Sequence, residues 1–170
     1  MIITPILIAL NLIVYLVTQH DQTLYLKYGL NLFFTERHFW WQPLTTMFMH
    51  ASWGHLLMNM AVLFQFGVLL ERELNAHLRY LLIYFVGGIV TSLLSFLYMD
   101  LFAIQHNLIG ASGAISVLFG WFAMKDPHLR GGLIVSILII SFIPLLMGIP
   151  IAWYAHLIGF ALGWLAGFFI

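Results

Sequence analysis

Six apolar stretches follow one another along the chain, and charged residues, Gly or Pro end those that come after the first. They cover residues 4–17, 55–70, 79–99, 112–124, 132–147 and 150–169. Hydrophobic residues occupy 63% of the 170 positions and charged residues only 7%, which is far from the balance of a soluble domain. Lipid offers no partners to backbone amides, so such stretches predict transmembrane helices. We predict an all-α polytopic membrane protein, a six-helix bundle forming one domain over residues 1–170.

The fourth apolar stretch is too short to cross a bilayer by itself. Residues 112–124 supply about 13 positions, whereas a spanning helix needs roughly 20. The preceding residues, 100–111, must therefore dip into the membrane. Irregular backbone is tolerated at that depth only where protein buries it or where it lines a watery cavity. A short fourth helix below a water-filled recess is expected.

Basic residues set the expected orientation. Arg72 and Arg79 flank the connection after the second stretch, and Lys125 and Arg130 flank the one after the fourth. Connections of this kind stay in the cytoplasm, so both termini are expected there and the recess is expected to open on the outer side. No Lys or Arg precedes the first stretch, which we interpret as a retained helix and not as a signal peptide.

The long first connection, residues 20–54, is rich in Leu, Tyr, Phe and Trp, and includes Phe39, Trp40 and Trp41. Aromatic side chains favour the boundary between lipid and water, so this loop is predicted to be interfacial. An ordinary aromatic belt would have the same composition.

Charge and cysteine content exclude several classes of function. The formal net charge is zero and no basic run is present, so no nucleic-acid partner is expected. Cysteine is absent, which excludes disulfides and thiolate metal sites. His50 and His55 could suggest a metal, but the helical H-E-x-x-H arrangement of zinc proteases is missing, so no metal is expected.

Ser112, Asn59 and His156 are polar side chains within apolar stretches, where their cost makes a functional role the first hypothesis. A rise of about 1.5 Å per residue places them roughly 20, 18 and 21 Å above the cytoplasmic ends of their helices. That common level is about 10 Å below the outer edge of the hydrocarbon core, at the height of the dip. We expect the three side chains to share one recess.

Small residues form a row on the fourth and on the sixth stretch, at spacings that place them on one helix face. Such rows allow the backbones of two membrane helices to approach closely, and packing alone is their commonest role. The rows are Ser112, Ser116 and Gly120 in the fourth stretch and Gly159 and Gly163 in the sixth, where they lie on the same face as His156 and directly below it.

Ser112 opens the fourth helix within Gly110-Ala111-Ser112-Gly113, where small neighbours leave its hydroxyl accessible. The first N–H groups of a helix have no partner within it, and the positive helix end favours a developing negative charge. Ser112 is therefore a candidate nucleophile whose own N–H can stabilise an oxyanion. An ordinary N-cap serine is the alternative.

His156 is the candidate general base, because a neutral imidazole suits proton transfer near neutral pH. All acidic residues lie in terminal or loop segments, so a Ser–His dyad without a carboxylate is expected. His55 and Asn59 share a helix face and can donate to an oxyanion at the same level. A buried structural histidine and interhelical hydrogen bonding are the alternatives. The acidic residues are Asp21, Glu36, Glu71, Glu73, Asp100 and Asp126.

Other polar side chains receive no functional role. Four helical serines are interpreted as hydroxyls that bond to their own backbone or pack between helices. Histidines near loops and the charged end of the second helix are interpreted as solvated. The serines are Ser92, Ser95, Ser136 and Ser141, and the solvated residues are His20, His38, His77, His106, His128, Glu71, Arg72 and Glu73.

Three motifs together resemble the pattern of rhomboid intramembrane proteases, which carry H-x-x-x-N, G-x-S-G and A-H-x-x-G-x-x-x-G on the second, fourth and sixth helices. A further family histidine, five positions before the first motif, is matched by His50. The resemblance spans about residues 41–163. The motifs read His55-Leu56-Leu57-Met58-Asn59, Gly110-Ala111-Ser112-Gly113 and Ala155-His156-Leu157-Ile158-Gly159-Phe160-Ala161-Leu162-Gly163.

The resemblance implies a serine endopeptidase that works without a cofactor. Ser112 and His156 would form the dyad, and His55, Asn59 and the Ser112 N–H would surround the oxyanion. Substrates would be single-pass or polytopic membrane proteins, cleaved in or near their transmembrane segments within the lipid bilayer. The compact six-helix type implies a bacterial inner membrane. Supporting positions would be His50, Gly110, Gly113, Gly159 and Gly163.

Two positions depart from the family pattern. The family's Trp-Arg pair in the first connection reads Trp41-Gln42, which predicts weaker anchoring of that loop. The aromatic residue that commonly supports the histidine is replaced by Ser116, and a hydroxyl does not offer the stacking surface of a ring. What orients His156 stays open. So do two other functions: a catalytically weak or inactive rhomboid-like protein that binds transmembrane helices, and a small transporter.

Overall fold

A computed structural model describes residues 2–74 and 77–170. Nearly all regular structure in these residues is helical, and their one β-type pairing is an isolated bridge between Leu30 and Leu108. A π-helical turn joins the sixth and seventh helices, and a 3₁₀ turn follows the fourth. The helices are α1 (Ile3–Thr18), α2 (Gln22–Tyr28), α3 (Phe33–Glu36), α4 (Gln42–Thr45), α5 (Trp53–Leu74), α6 (His77–Leu81), α7 (Gly87–Leu101), α8 (Ser112–Lys125), α9 (Pro127–Leu146) and α10 (Trp153–Ala166).

Within the described residues, three helical segments are long and apolar enough to cross a bilayer: Trp53–Leu74, His77–Leu101 and Pro127–Leu146. The helices Ile3–Thr18 and Trp153–Ala166 are also apolar but shorter. Each of the six apolar stretches of the sequence falls largely on helical residues. The chain is therefore an α-helical integral membrane protein.

Helix α8 lies at the centre of the packing. It has only 14 residues, and an unbroken run from Ala114 to Ala123 is buried. A helix that is apolar around its whole circumference must be enclosed by other elements. Here α5, α7, α9 and α10 enclose it, with α10 as the most extensive contact. The short fourth stretch is thus the core of the molecule.

The backbones of α8 and α10 touch, because glycine faces glycine or backbone on both helices. A Cβ atom added at Gly120 would lie 1.9 Å from the Phe160 carbonyl oxygen, and one at Gly163 would lie 1.9 Å from the Val117 carbonyl oxygen. Nearer the start of α8, a Cβ at Gly159 would lie 2.5 Å from the Gly113 carbonyl oxygen. The two rows of small residues therefore face each other, and no larger side chain fits between them.

Glu71 is not the solvated helix end expected from the sequence. It lies in the last turn of α5 with only 7% of its surface exposed, and its carboxylate covers the start of α1. Oε1 accepts hydrogen bonds from the N–H groups of Ile2 and Ile3 at 2.5 and 3.0 Å, and Oε2 accepts from the N–H and hydroxyl of Thr4 at 3.2 and 3.1 Å. Ile2 offers no side-chain cap, so Glu71 satisfies the unpaired first N–H groups of α1 from a distant helix.

Gln42, which stands where the family has arginine, does anchor the first connection. Its side chain is fully buried, and its Oε1 accepts from the Asn31 N–H at 3.3 Å. Its Nε2 donates to the carbonyl oxygens of Leu26 and Lys27 at 3.1 and 3.3 Å. The neighbouring Trp40 side chain is largely exposed. A neutral amide thus ties the folded loop together while an aromatic side chain projects from it.

The irregular segment that leads into α8 is bound to this first connection. Leu108 pairs with Leu30 and also accepts a hydrogen bond from the Thr46 hydroxyl, and the Gly110 N–H donates to the Thr46 carbonyl oxygen at 2.9 Å. Asn107 receives a hydrogen bond from the Asn31 side chain at 2.7 Å. Non-helical backbone is therefore held by protein partners immediately before the helix begins.

Gly163→Ala should separate α8 from α10 and destabilise the protein by about 1–3 kcal/mol, the usual range for overpacking. Thermal unfolding in detergent would measure the loss. Gly131→Ala in α9 is the matched control, because an added Cβ meets nothing within 4 Å there and alanine improves helix propensity. Equal melting temperatures for the two variants would contradict the backbone contact.

Glu71→Ala should destabilise the fold by about 2–4 kcal/mol, since it strips hydrogen-bond acceptors from several buried donors at the start of α1. The same unfolding measurement applies. Glu73→Ala is the control, because Glu73 is an exposed carboxylate on the same helix and its loss should change stability by less than about 0.5 kcal/mol. A Glu71→Ala protein as stable as the Glu73→Ala protein would refute the capping role.

Candidate active site

Ser112 and His156 meet across the contact between α8 and α10. The distance from Ser112 Oγ to His156 Nε2 is 3.0 Å, which is a hydrogen-bonding distance between two side chains 44 residues apart. His156 is 5% exposed, whereas Ser112 is half-buried and so remains reachable. The Gly159 contact, one turn below the histidine, sets the separation at which this pair can form.

The start of α8 leaves hydrogen-bond donors beside the Ser112 hydroxyl. Ala111 is the N-cap residue and has no polar side chain with which to cover the first turn. The N–H groups of Ser112 and Gly113 therefore belong to the set that finds no partner inside the helix. A negative charge that develops next to Ser112 would meet these donors and the positive end of the helix dipole.

Gly110 brings α5 to the same place. Its φ of +115° suits glycine, and a Cβ added there would lie 2.9 Å from both Cε1 and Nε2 of the His55 ring and 3.7 Å from Asn59 Nδ2. His55 and Asn59 thus lie against the segment that carries Ser112. The three donors predicted from the sequence, which are the His55 ring, the Asn59 amide and the Ser112 N–H, therefore lie close together.

Hydrogen bonds on the far sides of these donors orient them. The Ala51 N–H points at His55 Nδ1 from 3.5 Å, which leaves the ring proton on Nε2, the nitrogen that faces Gly110. Asn59 Nδ2 donates one hydrogen to the His55 carbonyl oxygen at 3.1 Å and has a second hydrogen to donate elsewhere. Both side chains can therefore act as donors.

His50 packs against His55 from the loop before α5. The two ring centroids are 5.0 Å apart in an edge-to-face arrangement, and His50 Nδ1 lies 3.3 Å from the Phe48 carbonyl oxygen. Burial, reinforced by the neighbouring His55, lowers the pKa of His50 to about 3, so the ring is neutral near physiological pH. In the described ranges, no third His, Cys, Asp or Glu joins the two imidazoles to form a metal-binding group.

Ser141 has a contact that the sequence interpretation missed. Its Oγ lies 3.3 Å from Nδ1 of His156, on the opposite side of the imidazole from Ser112, and its side chain is fully buried. The interpretation of Ser141 as a hydroxyl bonded to its own backbone or merely packed is therefore incomplete. No local signal distinguishes it from Ser95, which does donate to the Thr91 carbonyl oxygen at 2.7 Å as expected.

His106 is also paired, contrary to the expectation of a solvated side chain. Its Nδ1 lies 3.2 Å from the Tyr154 hydroxyl, and the two rings stack with centroids 6.2 Å apart. Tyr154 in turn stacks on Tyr98 at 4.6 Å. This aromatic group lies next to His156 along the chain, because Tyr154 is two residues before it.

The geometry combines a hydroxyl bonded to an imidazole with several donors that converge on one point. A serine whose proton can pass to a neighbouring base is an activated nucleophile, and nearby donors can hold the oxyanion of a tetrahedral intermediate. Acyl transfer is the reaction class that uses both features. Serine hydrolases use an arrangement of this kind, which lies here within an apolar helical protein.

Comparison with known proteins assigns the chain to a family. A family model described as the Rhomboid domain matches residues 37–170, and the chain therefore belongs to the rhomboid family. It is 35% identical to RHOMBOID-like protein 7 of Arabidopsis thaliana over 76% of this chain and 42% of the relative. It is 30% identical to the putative rhomboid protease YdcA of Bacillus subtilis over 76% of this chain and 66% of the relative. The chain thus spans less than two thirds of the length of either protein.

Proposed function

We propose that the chain is an intramembrane serine endopeptidase that hydrolyses peptide bonds in or near transmembrane segments of other membrane proteins. The observation that carries the proposal is the 3.0 Å contact between Ser112 Oγ and His156 Nε2 at the uncapped start of α8. Family membership supports the same activity, because relatives of this chain include proteins named as rhomboid proteases.

The proposed reaction begins when Ser112 Oγ attacks the substrate carbonyl carbon and its proton passes to His156 Nε2. His156 then returns the proton to the leaving amide nitrogen, the C–N bond breaks, and an acyl-Ser112 ester remains. A water molecule, deprotonated by His156, attacks this ester and releases the carboxylic acid. Ser112 recovers its proton in the last step, so no cofactor is consumed.

The tetrahedral oxyanion would form beside Gly110, where donors from two helices converge. We assign its stabilisation to the Ser112 N–H, the His55 ring and the second amide hydrogen of Asn59. His50 would support His55 by packing. Gly110 and Gly113 leave room for the neighbouring helices beside Ser112, and Gly159 and Gly163 keep His156 within reach.

The bilayer setting of this reaction is also part of the proposal. We propose six membrane-crossing helices in one domain over residues 1–170, both termini in the cytoplasm of a bacterial inner membrane, and a recess open to the outer side. The shortness of α8 and the irregular segment before it support a recess at that level. A helical substrate hides its carbonyl groups in its own hydrogen bonds, so it would need to unwind locally within the recess.

The alternative is a rhomboid-like protein that binds transmembrane helices and cleaves weakly or not at all. Ser116 in place of a supporting aromatic residue favours that alternative. Its hydroxyl donates to the Ser112 carbonyl oxygen at 2.7 Å and offers no stacking surface to a histidine ring. The intact hydrogen bond between Ser112 and His156 favours catalysis instead.

Ser112→Ala should reduce cleavage of a single-span test substrate by at least about a thousandfold, because the nucleophile is gone while little packing changes. An active-site serine probe, followed by mass spectrometry, should label Ser112 in the parent protein and not in the variant. Ser95→Ala removes another buried hydroxyl and serves as the control. Labelling at a different residue, or equal labelling of a His156→Ala protein, would refute the dyad.

Asn59→Ala should lower kcat by about a hundred- to a thousandfold if the amide donates to the oxyanion. Steady-state kinetics in detergent would show this with KM nearly constant, because the interaction forms only in the transition state. Gln65→Ala, which removes an exposed amide from the same helix, is the control. A lower melting temperature with unchanged kcat would instead assign Asn59 a purely structural role.

A further inference from the structure

Helix α9 turns one narrow row of side chains toward the rest of the bundle. Its buried residues are Leu133, Ile137 and Ser141, spaced four apart, and most of its remaining surface is exposed. Two members of the row are aliphatic, as expected for a helix facing an apolar core. The third is a serine with no exposed surface, and burying a hydroxyl without a partner is costly. A specific partner is therefore expected for Ser141.

That partner is the catalytic candidate on α10. Ser141 Oγ lies 3.3 Å from His156 Nδ1, while Nε2 of the same ring lies 3.0 Å from Ser112 Oγ. The imidazole is thus held at both nitrogens, by α9 on one side and by α8 on the other. In a neutral imidazole one nitrogen carries the proton and the other accepts, so the two contacts determine each other.

Other groups of the kinds that orient a histidine are engaged elsewhere. Within the described residues no aromatic ring stacks on His156, and the ring of Tyr154 stacks on Tyr98. Ser116 bonds to the Ser112 carbonyl oxygen. The one buried carboxylate among the described residues, Glu71, covers the start of α1. Ser141 is the group that meets the Nδ1 side of the ring.

We propose that Ser141 is a positioning residue for the general base, an inference that rests on the proposed protease function. The Ser141 hydroxyl oxygen accepts a hydrogen bond from Nδ1–H of His156. With the proton on Nδ1, Nε2 is unprotonated and faces the Ser112 hydroxyl. The same hydrogen bond persists when Nε2 takes the serine proton and the ring becomes cationic.

A neutral hydroxyl suits this position better than the carboxylate of a soluble Ser-His-Asp triad. An ionised carboxylate on the inner face of α9 would have to be stripped of water inside an apolar bundle, which is costly even when it is paired. A serine hydroxyl accepts the same N–H hydrogen bond without carrying a charge. It also replaces by direct hydrogen bonding the orientation that a stacked ring would give.

Four variants separate this role from simple packing. Ser141→Ala should lower kcat about 10- to 100-fold, the range of a hydrogen bond to a charged group, with KM nearly unchanged. Ser141→Thr keeps a hydroxyl, and Ser141→Val has nearly the same shape as threonine without one. Because both add bulk at a fully buried site, their ratio of kcat isolates the hydroxyl and should favour threonine at least about 10-fold. Ser136→Ala, on the same helix, should match the parent.

Nitrogen-15 NMR of histidine-labelled protein supplies a readout that packing alone would not move. The His156 signals are identified as those lost in His156→Ala among the 8 histidines. The parent and Ser141→Thr should show Nδ1 protonated and Nε2 unprotonated, whereas Ser141→Ala and Ser141→Val should show a mixture of tautomers. Unchanged tautomers in all variants, or equal kcat for Ser141→Thr and Ser141→Val, would overturn the proposal.

The serine-probe experiment distinguishes this inference from the proposed function itself. If the parent protein neither labels at Ser112 nor cleaves, the protease proposal fails, and the role of Ser141 in catalysis fails with it. If the parent is active and Ser141→Ala retains the parent kcat and tautomer, only the positioning role is refuted. Loss of kcat together with the tautomer change is the outcome that supports it.

Discussion

The contact between the backbones of α8 and α10 is the constraint on which the remaining site geometry depends. A Cβ at Gly120 or Gly163 would lie 1.9 Å from a carbonyl oxygen on the other helix, so no larger residue fits there unless the helices separate. Lipid tails are as apolar as the side chains, so membrane helices associate through such close packing more than through a hydrophobic driving force. The distance from Ser112 to His156 follows from this packing.

Polar side chains that are distant in sequence also stabilise the fold, by hydrogen bonding to backbone groups. Glu71 in α5 satisfies the start of α1, and Gln42 and Thr46 tie the first connection to itself and to the segment before α8. Each of these groups sits where backbone amides would otherwise lack partners in an apolar setting. Packing against α10 therefore holds α8, the helix that carries Ser112, along its length, and hydrogen bonds hold the segment that leads into it.

The two residues that depart from the rhomboid pattern, Gln42 and Ser116, make specific local contacts in this chain. Gln42 uses a neutral amide to make hydrogen bonds within the loop where the family has an arginine. Ser116 leaves room for Gly159 to approach α8, since a Cβ on Gly159 would already lie 3.0 Å from the Ser116 Cβ. Because no aromatic ring stands at position 116, we propose that Ser141 on α9 orients His156 instead.

The sequence alone determined the helical membrane class, because apolar runs of helix length are a local property and lipid permits few folds. It also singled out Ser112, His156, His55 and Asn59, since polar groups stand out against an apolar background and their spacing along each helix is periodic. It could not pair Ser141 with His156 or Glu71 with the start of α1. Neither residue differs in its local sequence from an ordinary helical serine or a solvated helix end. Those contacts depend on which faces of distant helices meet, and only tertiary packing decides that.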